Sequence, residues 1–476
     1  MALKLSRRRL LVIGASAAFV TPILAACAST PPTPTTAPKP AGAAGAAPTQ
    51  AAAPAAKPAT SAQKVSIRFM RFAGAGWEQD VEFIDEFQKA NPNIEVVPED
   101  TPYGEANKKI LTLGATGTLA DVFPGHTRWN GVIRFKGLML DLDPMVKSFP
   151  EITKFDDFFP SIIADVRGPG ADGKLFELPT VVHPGGNAVV LINLEHAEKA
   201  GAKIPANSDW TIQQLEELAR TAARPKENVY GTQITFTSPL YSTQATRSWG
   251  GSAAKSDPAA WVLSPDGKKS QLGSPLVKEA FEWYRKMIAD GIVPTSDVAP
   301  AGSGQNYFTA GMLATNSRET GAVQANSHII QEKFKWKAVL WPKGALGHRG
   351  SCLSYNTMAC YSKSPNPEAA YKLLVNQTSE EVGLWAGYEG KANPYGRRSV
   401  WSNPKLHERY PIMKDVSEWF QQEIDPFPMP WNLLAQEYQD AFGQEIAKYL
   451  DGKETWDEMY PRTQKALQDI LDQPRA

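Results

Sequence analysis

With 476 residues carrying 50 basic and 50 acidic side chains, the chain is too long for one ordinary domain and too evenly charged to take nucleic acid as its main partner. Thirteen tryptophans and fourteen tyrosines are many, and those not needed in a core are candidates for a recognition surface.

Ser6-Arg7-Arg8-Arg9 runs into an apolar segment, Leu10 to Ala26, that is too short and too rich in alanine for a spanning helix. It is an export signal resembling the twin-arginine type, and Leu24-Ala25-Ala26-Cys27 resembles the lipobox of bacterial lipoproteins, which makes Cys27 the expected lipidation site. From Ser29 to Gln63 the chain is almost all Ala, Pro, Thr and Gly, which bury too little apolar surface to offset their ordering entropy. The expected outcome is a mobile tether reaching on the order of 100 Å when stretched, with folding starting near Lys64.

Val65–Phe69 alternates apolar and polar residues and predicts a strand with one buried face. After the Gly74-Ala75-Gly76 turn, Trp77, Val81, Ile84 and Phe87 recur at helical spacing, Asn91-Pro92-Asn93 stops the helix, and Ile94–Val97 predicts the next strand. A strand–helix–strand unit of this kind points to a mainly parallel sheet. A helix around Ala106–Ala115 and a short buried strand, Ala120–Phe123, follow. The loop expected next, Pro124-Gly125-His126-Thr127-Arg128-Trp129-Asn130, lies where open α/β sheets bind ligands, beyond a strand's carboxyl end; the alternative is a helix-entry loop whose tryptophan is core.

Asp172–His196 reads as two strands, Lys174–Leu178 and Ala188–Ile192, around a turn-rich segment Pro179–Asn187 that holds His183, Gly185, Gly186 and Asn187. Thr211 with Gln214 forms a capping box that Trp210 and Leu215 staple. Strand Thr232–Phe236, loop Arg247–Gly251 with Trp249, and a long helix from Ser274-Pro275 to Gly291 come next. Asn316-Ser317-Arg318-Glu319 reads as a polar loop, Ala338–Trp341 and Asn356–Tyr361 as strands, and Thr378 with Glu381 as the cap of the helix carrying Trp385. Thr455 with Glu458 caps a last helix to about Leu471. Cys352 and Cys360 lie about 26 Å apart if one strand holds both, whereas a hairpin between them would permit a disulfide.

Catalytic signatures fail on context. Gly168-Pro169-Gly170-Ala171-Asp172-Gly173 has the spacing of a dinucleotide motif but precedes a strand instead of opening a helix, and Leu175 stands where a phosphate loop needs a hydroxyl. The six histidines show no metal-ligand spacing, so neither a metal nor a cofactor is expected; a carboxylate pair could still meet only in the fold, but nothing in the sequence points to one, and no enzyme activity is expected.

The ordered set Phe87-Gln88-Lys89-Ala90-Asn91-Pro92-Asn93, Ala120-Asp121-Val122-Phe123, Asp172-Gly173-Lys174-Leu175-Phe176-Glu177-Leu178-Pro179, Ile192-Asn193, Ala310-Gly311-Met312-Leu313-Ala314 and Ser364-Pro365-Asn366-Pro367-Glu368-Ala369-Ala370 resembles the extracellular solute-binding proteins of ABC importers. The likeness is to the large carbohydrate-binding group that includes the maltose-binding protein. It implies an α/β fold of two lobes, each a mainly parallel sheet flanked by helices, joined by three crossings near Pro179–Asn187, Val339–Pro342 and Ala392–Tyr395. The implied division is signal 1–27, tether 28–63, first lobe 64–183 and 341–394, second lobe 184–340 and 395–476. Gly185 and Gly186 become the expected hinge. Where the family places an aromatic pair and acidic contacts, this chain has Leu191-Ile192 and Gly125-His126-Thr127-Arg128, so the identity of the sugar does not carry over.

Sugars offer apolar ring faces and a rim of hydroxyls, which call for flat aromatics beside amides, carboxylates or guanidinium groups. The candidates are Trp77, His126, Arg128, Trp129, His183, Asn187, Trp249, Arg318, Trp341, Trp385 and Trp431. The implied partners are a small solute, permease subunits and, through the lipid anchor, the outer face of a membrane; the implied state is a monomer. A phosphorylated polyol or acidic sugar suits Arg128, Arg318 and His183 as an alternative solute, and a secreted polysaccharide-degrading enzyme is the alternative of another class.

Overall fold

The computed structural model describes residues 64–73, 81–168, 172–250, 258–295, 298, 306–389, 393–421 and 424–475. The signal, Cys27, the tether, Trp77 and Ala392 lie outside the described residues. Residues 62–476 form one unit built on two sheets. In chain order the strands are β1 Val65–Ala73, β2 Ile94–Pro102, β3 Val122–His126, β4 Glu177–His183, β5 Val189–Asn193, β6 Thr315–Arg318, β7 Trp336–Leu340 and β8 Ser354–Cys360.

The first sheet has the order β2-β1-β3-β8-β4. β1 runs parallel to β2 from Val65↔Ile94 to Ala73↔Pro102 and parallel to β3 at Phe69↔Val122. The helix Val81–Ala90 makes that crossover, burying Ile84 and Phe87 at the predicted helical spacing. Each of these two side chains stabilises the layer by roughly 1.5–3 kcal/mol. On β1, Ile67 and Phe69 enter one core cluster, while Met70 and Phe72 enter another on the opposite face. β1 therefore buries both faces in its second half, where only one was expected.

β8 returns late in the chain and inserts antiparallel between β3 and β4, with His126↔Asn356 and His183↔Ser354 at the same end. The second sheet, β6-β5-β7, is antiparallel throughout. The two-sheet α/β architecture stands, but the expectation of mainly parallel sheets is corrected. β6, β7 and β8 pair antiparallel with strands that lie far back in the chain, and the parallel pairings are confined to the N-terminal part of the first sheet, where β1 lies beside β2 and β3. Val189 and Leu191 of β5 face one core cluster and Val190 and Ile192 the other, so this strand is buried on both sides.

Several elements differ from the sequence reading. Pro179–His183 belongs to β4, and the turn narrows to Pro184–Asn187. Thr232–Phe236 forms no regular strand, although Thr315 and Ser317 of β6 donate backbone bonds to Gly231 and Gln233 at 2.9 and 3.0 Å. Asn316–Arg318, read as a loop, is β6 itself, and Arg247–Trp249 lies on the helix Pro239–Gly250. Ser379, one residue after the expected Thr378, caps the helix Glu380–Tyr388. The capping boxes at Thr211 and Thr455 form as predicted. Cys352 and Cys360 are free and buried in different clusters, so no disulfide forms.

Candidate functional site

The carboxyl ends of β2, β3 and β4 open on the same side of the first sheet. β2 ends at Pro102, and Tyr103 begins the helix Tyr103–Thr116. β3 ends at His126, two strand spacings from His183 across β8, or about 10 Å. His126 is the N-cap of the helix Thr127–Phe135: its Nδ1 accepts the Arg128 backbone N–H at 3.0 Å. The imidazole proton is thereby placed on Nε2. The ring lies 5.1 Å from that of Trp129 and 5.9 Å from that of Tyr103, and those two are 5.3 Å apart. Burial, then Arg128 and His183, push the His126 pKa well below its ordinary value, so the ring is neutral at neutral pH. The expected loop Pro124–Asn130 is thus strand up to His126 and helix beyond it, with Trp129 buried and its indole N–H unpartnered among the described residues.

From the second sheet, Glu319 follows β6 and accepts the hydroxyl of Tyr241. Its other oxygen lies 3.3 Å from His183 Nδ1, which is also 2.7 Å from the Asn393 amide nitrogen. With Nδ1 protonated, His183 donates to Glu319; with Nδ1 bare, it accepts from Asn393. Burial opposes the charge on Glu319, but His183, the Tyr241 hydroxyl and Arg318 outweigh it and hold the carboxyl at about 2. Burial and Glu319 together push the Tyr241 phenol well above its ordinary value, so it remains a donor. Arg128 and Tyr103, on the helices that follow β3 and β2, bear electrostatically on Tyr241, which places the two groups close to each other.

Asn187 lies in the crossing between β4 and β5. Gln244 clamps its backbone from the helix Pro239–Gly250, accepting its N–H at 2.7 Å and donating to its carbonyl at 2.8 Å. The Asn187 Nδ2 is left buried without a partner among the described residues.

Of the residues singled out from sequence, His126, Arg128, Trp129, His183, Asn187 and Arg318 gather around this site. The remaining described tryptophans do not. Trp341 is 1% exposed and donates to Ser248 Oγ at 2.9 Å inside the core. Trp249 packs on Trp283 at 5.1 Å, Trp385 edges onto Phe83 at 5.5 Å, and Trp431 donates to the Leu471 carbonyl at 2.6 Å. Trp341 is corrected to a packing position, since an indole offers a core more buried area than any other side chain, while Trp249, Trp385 and Trp431 are half-buried beside these neighbours. Tyr103, Tyr241, Glu319 and Asn393 were not among the candidates, although Glu319 stands in the polar stretch Asn316–Glu319 and Asn393 in the crossing expected near Ala392–Tyr395. Among the described residues no cluster of His, Cys, Asp and Glu fits a metal ion, and no helix is long and apolar enough to cross a membrane.

The model of the bacterial extracellular solute-binding protein family matches residues 82–392. The chain belongs to that family. This solute-binding protein is also 28% identical over 302 residues to a provisionally named binding protein of Brucella abortus, a match covering 60% of the chain and 65% of that relative's own length. In structure it is similar to an ABC substrate-binding protein of Listeria monocytogenes in complex with cycloalternan, with a TM-score of 0.68, 19% identity, and coverage of 86% of this chain and 99% of that one. The GacH receptor of Streptomyces glaucescens, studied unliganded and with acarbose, gives a TM-score of 0.69 at 18% identity, covering 86% of this chain and 99% of that one. At such identities the likeness establishes the two-lobed fold of the solute-binding protein.

Proposed function

We propose that this protein is the solute receptor of an ABC-type importer, capturing a carbohydrate between its lobes and delivering it to a membrane permease. The observation that carries this reading is the meeting of two groups at the strand ends: the Tyr103–His126–Trp129 ring cluster, and the hydroxyl-binding set of Glu319, Tyr241 and Asn187. Flat rings suit the apolar faces of a sugar, and an ionised carboxylate beside amide and phenol donors suits its hydroxyls. The neighbours' cycloalternan and acarbose are saccharides, which agrees with this choice.

In this reading the lobes comprise 64–183 with 341–394 and 184–340 with 395–476, Gly185 and Gly186 form the hinge, and a lipid on Cys27 holds the monomer at the outer face of the membrane. The protein binds without turnover and needs no cofactor. A thermal-shift screen of the purified protein against mono-, di- and oligosaccharides tests it. A true ligand at a hundred times its Kd adds about 2.7 kcal/mol of stability by mass action. No shift with any saccharide, or reducing ends released from a polysaccharide, overturns the reading.

A further inference from the structure

Among the described residues the arginines are, with few exceptions, engaged. Arg134 pairs with Glu177 at 3.0 Å, Arg247 with Asp425 at 2.7 Å and Arg167 with Asp143 at 2.5 Å. Others lie against backbone carbonyls or aromatic rings, such as Arg285 on the Tyr449 carbonyl and Arg409 over Tyr388. Among the described residues three guanidinium groups have no such partner: Arg475, exposed at the end of the chain, Arg128 and Arg318. The last two are half-buried and face the site, Arg128 from the helix that follows β3 and Arg318 from the end of β6.

A half-buried guanidinium gives up hydration, and without a carboxylate or carbonyl in return that loss stands uncompensated. Glu319 is the nearest candidate counter-charge, yet its two oxygens are taken up with Tyr241 and His183, and neither arginine lies within ion-pairing distance of it. Among the described residues, one ionised carboxylate thus stands against two guanidinium groups at the site.

We propose that Arg128 and Arg318 are receptors for an anionic group on the solute, so that the carbohydrate taken at this site is an acidic one, a uronate or a sugar phosphate ester. Planar guanidinium groups bind both anions through paired N–H donors. The ring cluster and the unpartnered Asn187 amide then serve the rest of the sugar. The inference rests on the carbohydrate reading and adds a charge to it.

The test is a set of matched titrations followed by intrinsic fluorescence: glucose with glucuronate and glucose 6-phosphate, and galactose with galacturonate and galactose 6-phosphate, at low and high salt. The expected result is that at least one acidic member binds tenfold or more tighter than its neutral parent, a ratio that falls as salt rises. Whether the uronate or the phosphate ester wins identifies the anion. Arg128→Gln and Arg318→Gln should each reduce the acidic-to-neutral ratio toward one, while Arg475→Gln leaves it intact. Neutral sugars binding as tightly as their acids would overturn the anion receptor and leave the carbohydrate reading standing. Binding of succinate or pyrophosphate, but of none of these sugars and of no saccharide in the thermal-shift screen, would do the reverse, and binding of nothing in either set would remove both.

Discussion

His126 performs two tasks with one ring. Its Nδ1 caps the helix Thr127–Phe135, which puts the remaining N–H, on Nε2, at the disposal of the site. The ring is held neutral by burial and by the neighbouring Arg128 and His183, so its folded pKa lies well below the 6.5 it has when unfolded. A group depressed in this way contributes stability above its unfolded pKa and loses it as pH falls toward the folded value, because only the unfolded chain takes up the proton. The melting temperature of the protein should therefore decline as pH is lowered from about 7.5 to 5.5. His126→Asn keeps a capping acceptor but does not titrate, so its curve over that range should be flatter than that of the parent protein. Parallel curves would show that His126 is not the group responsible.

At the scale of elements, local chemistry written in adjacent residues was legible and pairing between distant segments was not. The capping box of Thr455 and Glu458 starts the helix Trp456–Leu471, with the threonine hydroxyl accepting the Glu458 N–H and the glutamate reaching back to the Thr455 N–H at 2.8 Å. Thr455→Ala removes the side-chain acceptor and should cost roughly 1 kcal/mol of unfolding free energy, read as a lower denaturant midpoint at unchanged slope. The helix Val81–Ala90 was equally legible, since its apolar spacing is a property of ten consecutive residues. The direction of β8 was not, because a strand's alternation is the same whichever way it pairs, and its partners β3 and β4 lie far away in the chain. The candidate site divides along the same line. His126, Arg128 and His183 could be found from their place at strand ends, whereas the Tyr241–Glu319 bond joins residues 78 apart that no local pattern connects. Tryptophan content misled for a related reason: the ring that suits a sugar face also suits a core, and Trp341 went to the core.

For the whole molecule, the decisive segment is the short crossing between β4 and β5. Gly185 and Gly186 both have left-handed backbone, with φ of 70° and 67°, which costs an L residue roughly 1–2 kcal/mol per position. A Cβ on Gly185 would also run into the ring of Trp419, a residue of the helix Ile412–Phe420. The crossing is thus held by a large aromatic surface on one side and by the Gln244 clamp on Asn187 on the other. Gly173 supplies an internal control: its φ is 76° and a Cβ there meets nothing within 4 Å. Gly173→Ala and Gly185→Ala carry the same backbone cost, and only the second must also displace Trp419. Gly185→Ala should therefore unfold at a lower denaturant concentration than Gly173→Ala, and Trp419→Leu in the same chain should recover part of the difference. Equal midpoints for the two alanine variants would mean that Trp419 leaves the crossing free, and the crossing would then owe its shape to glycine backbone preference alone.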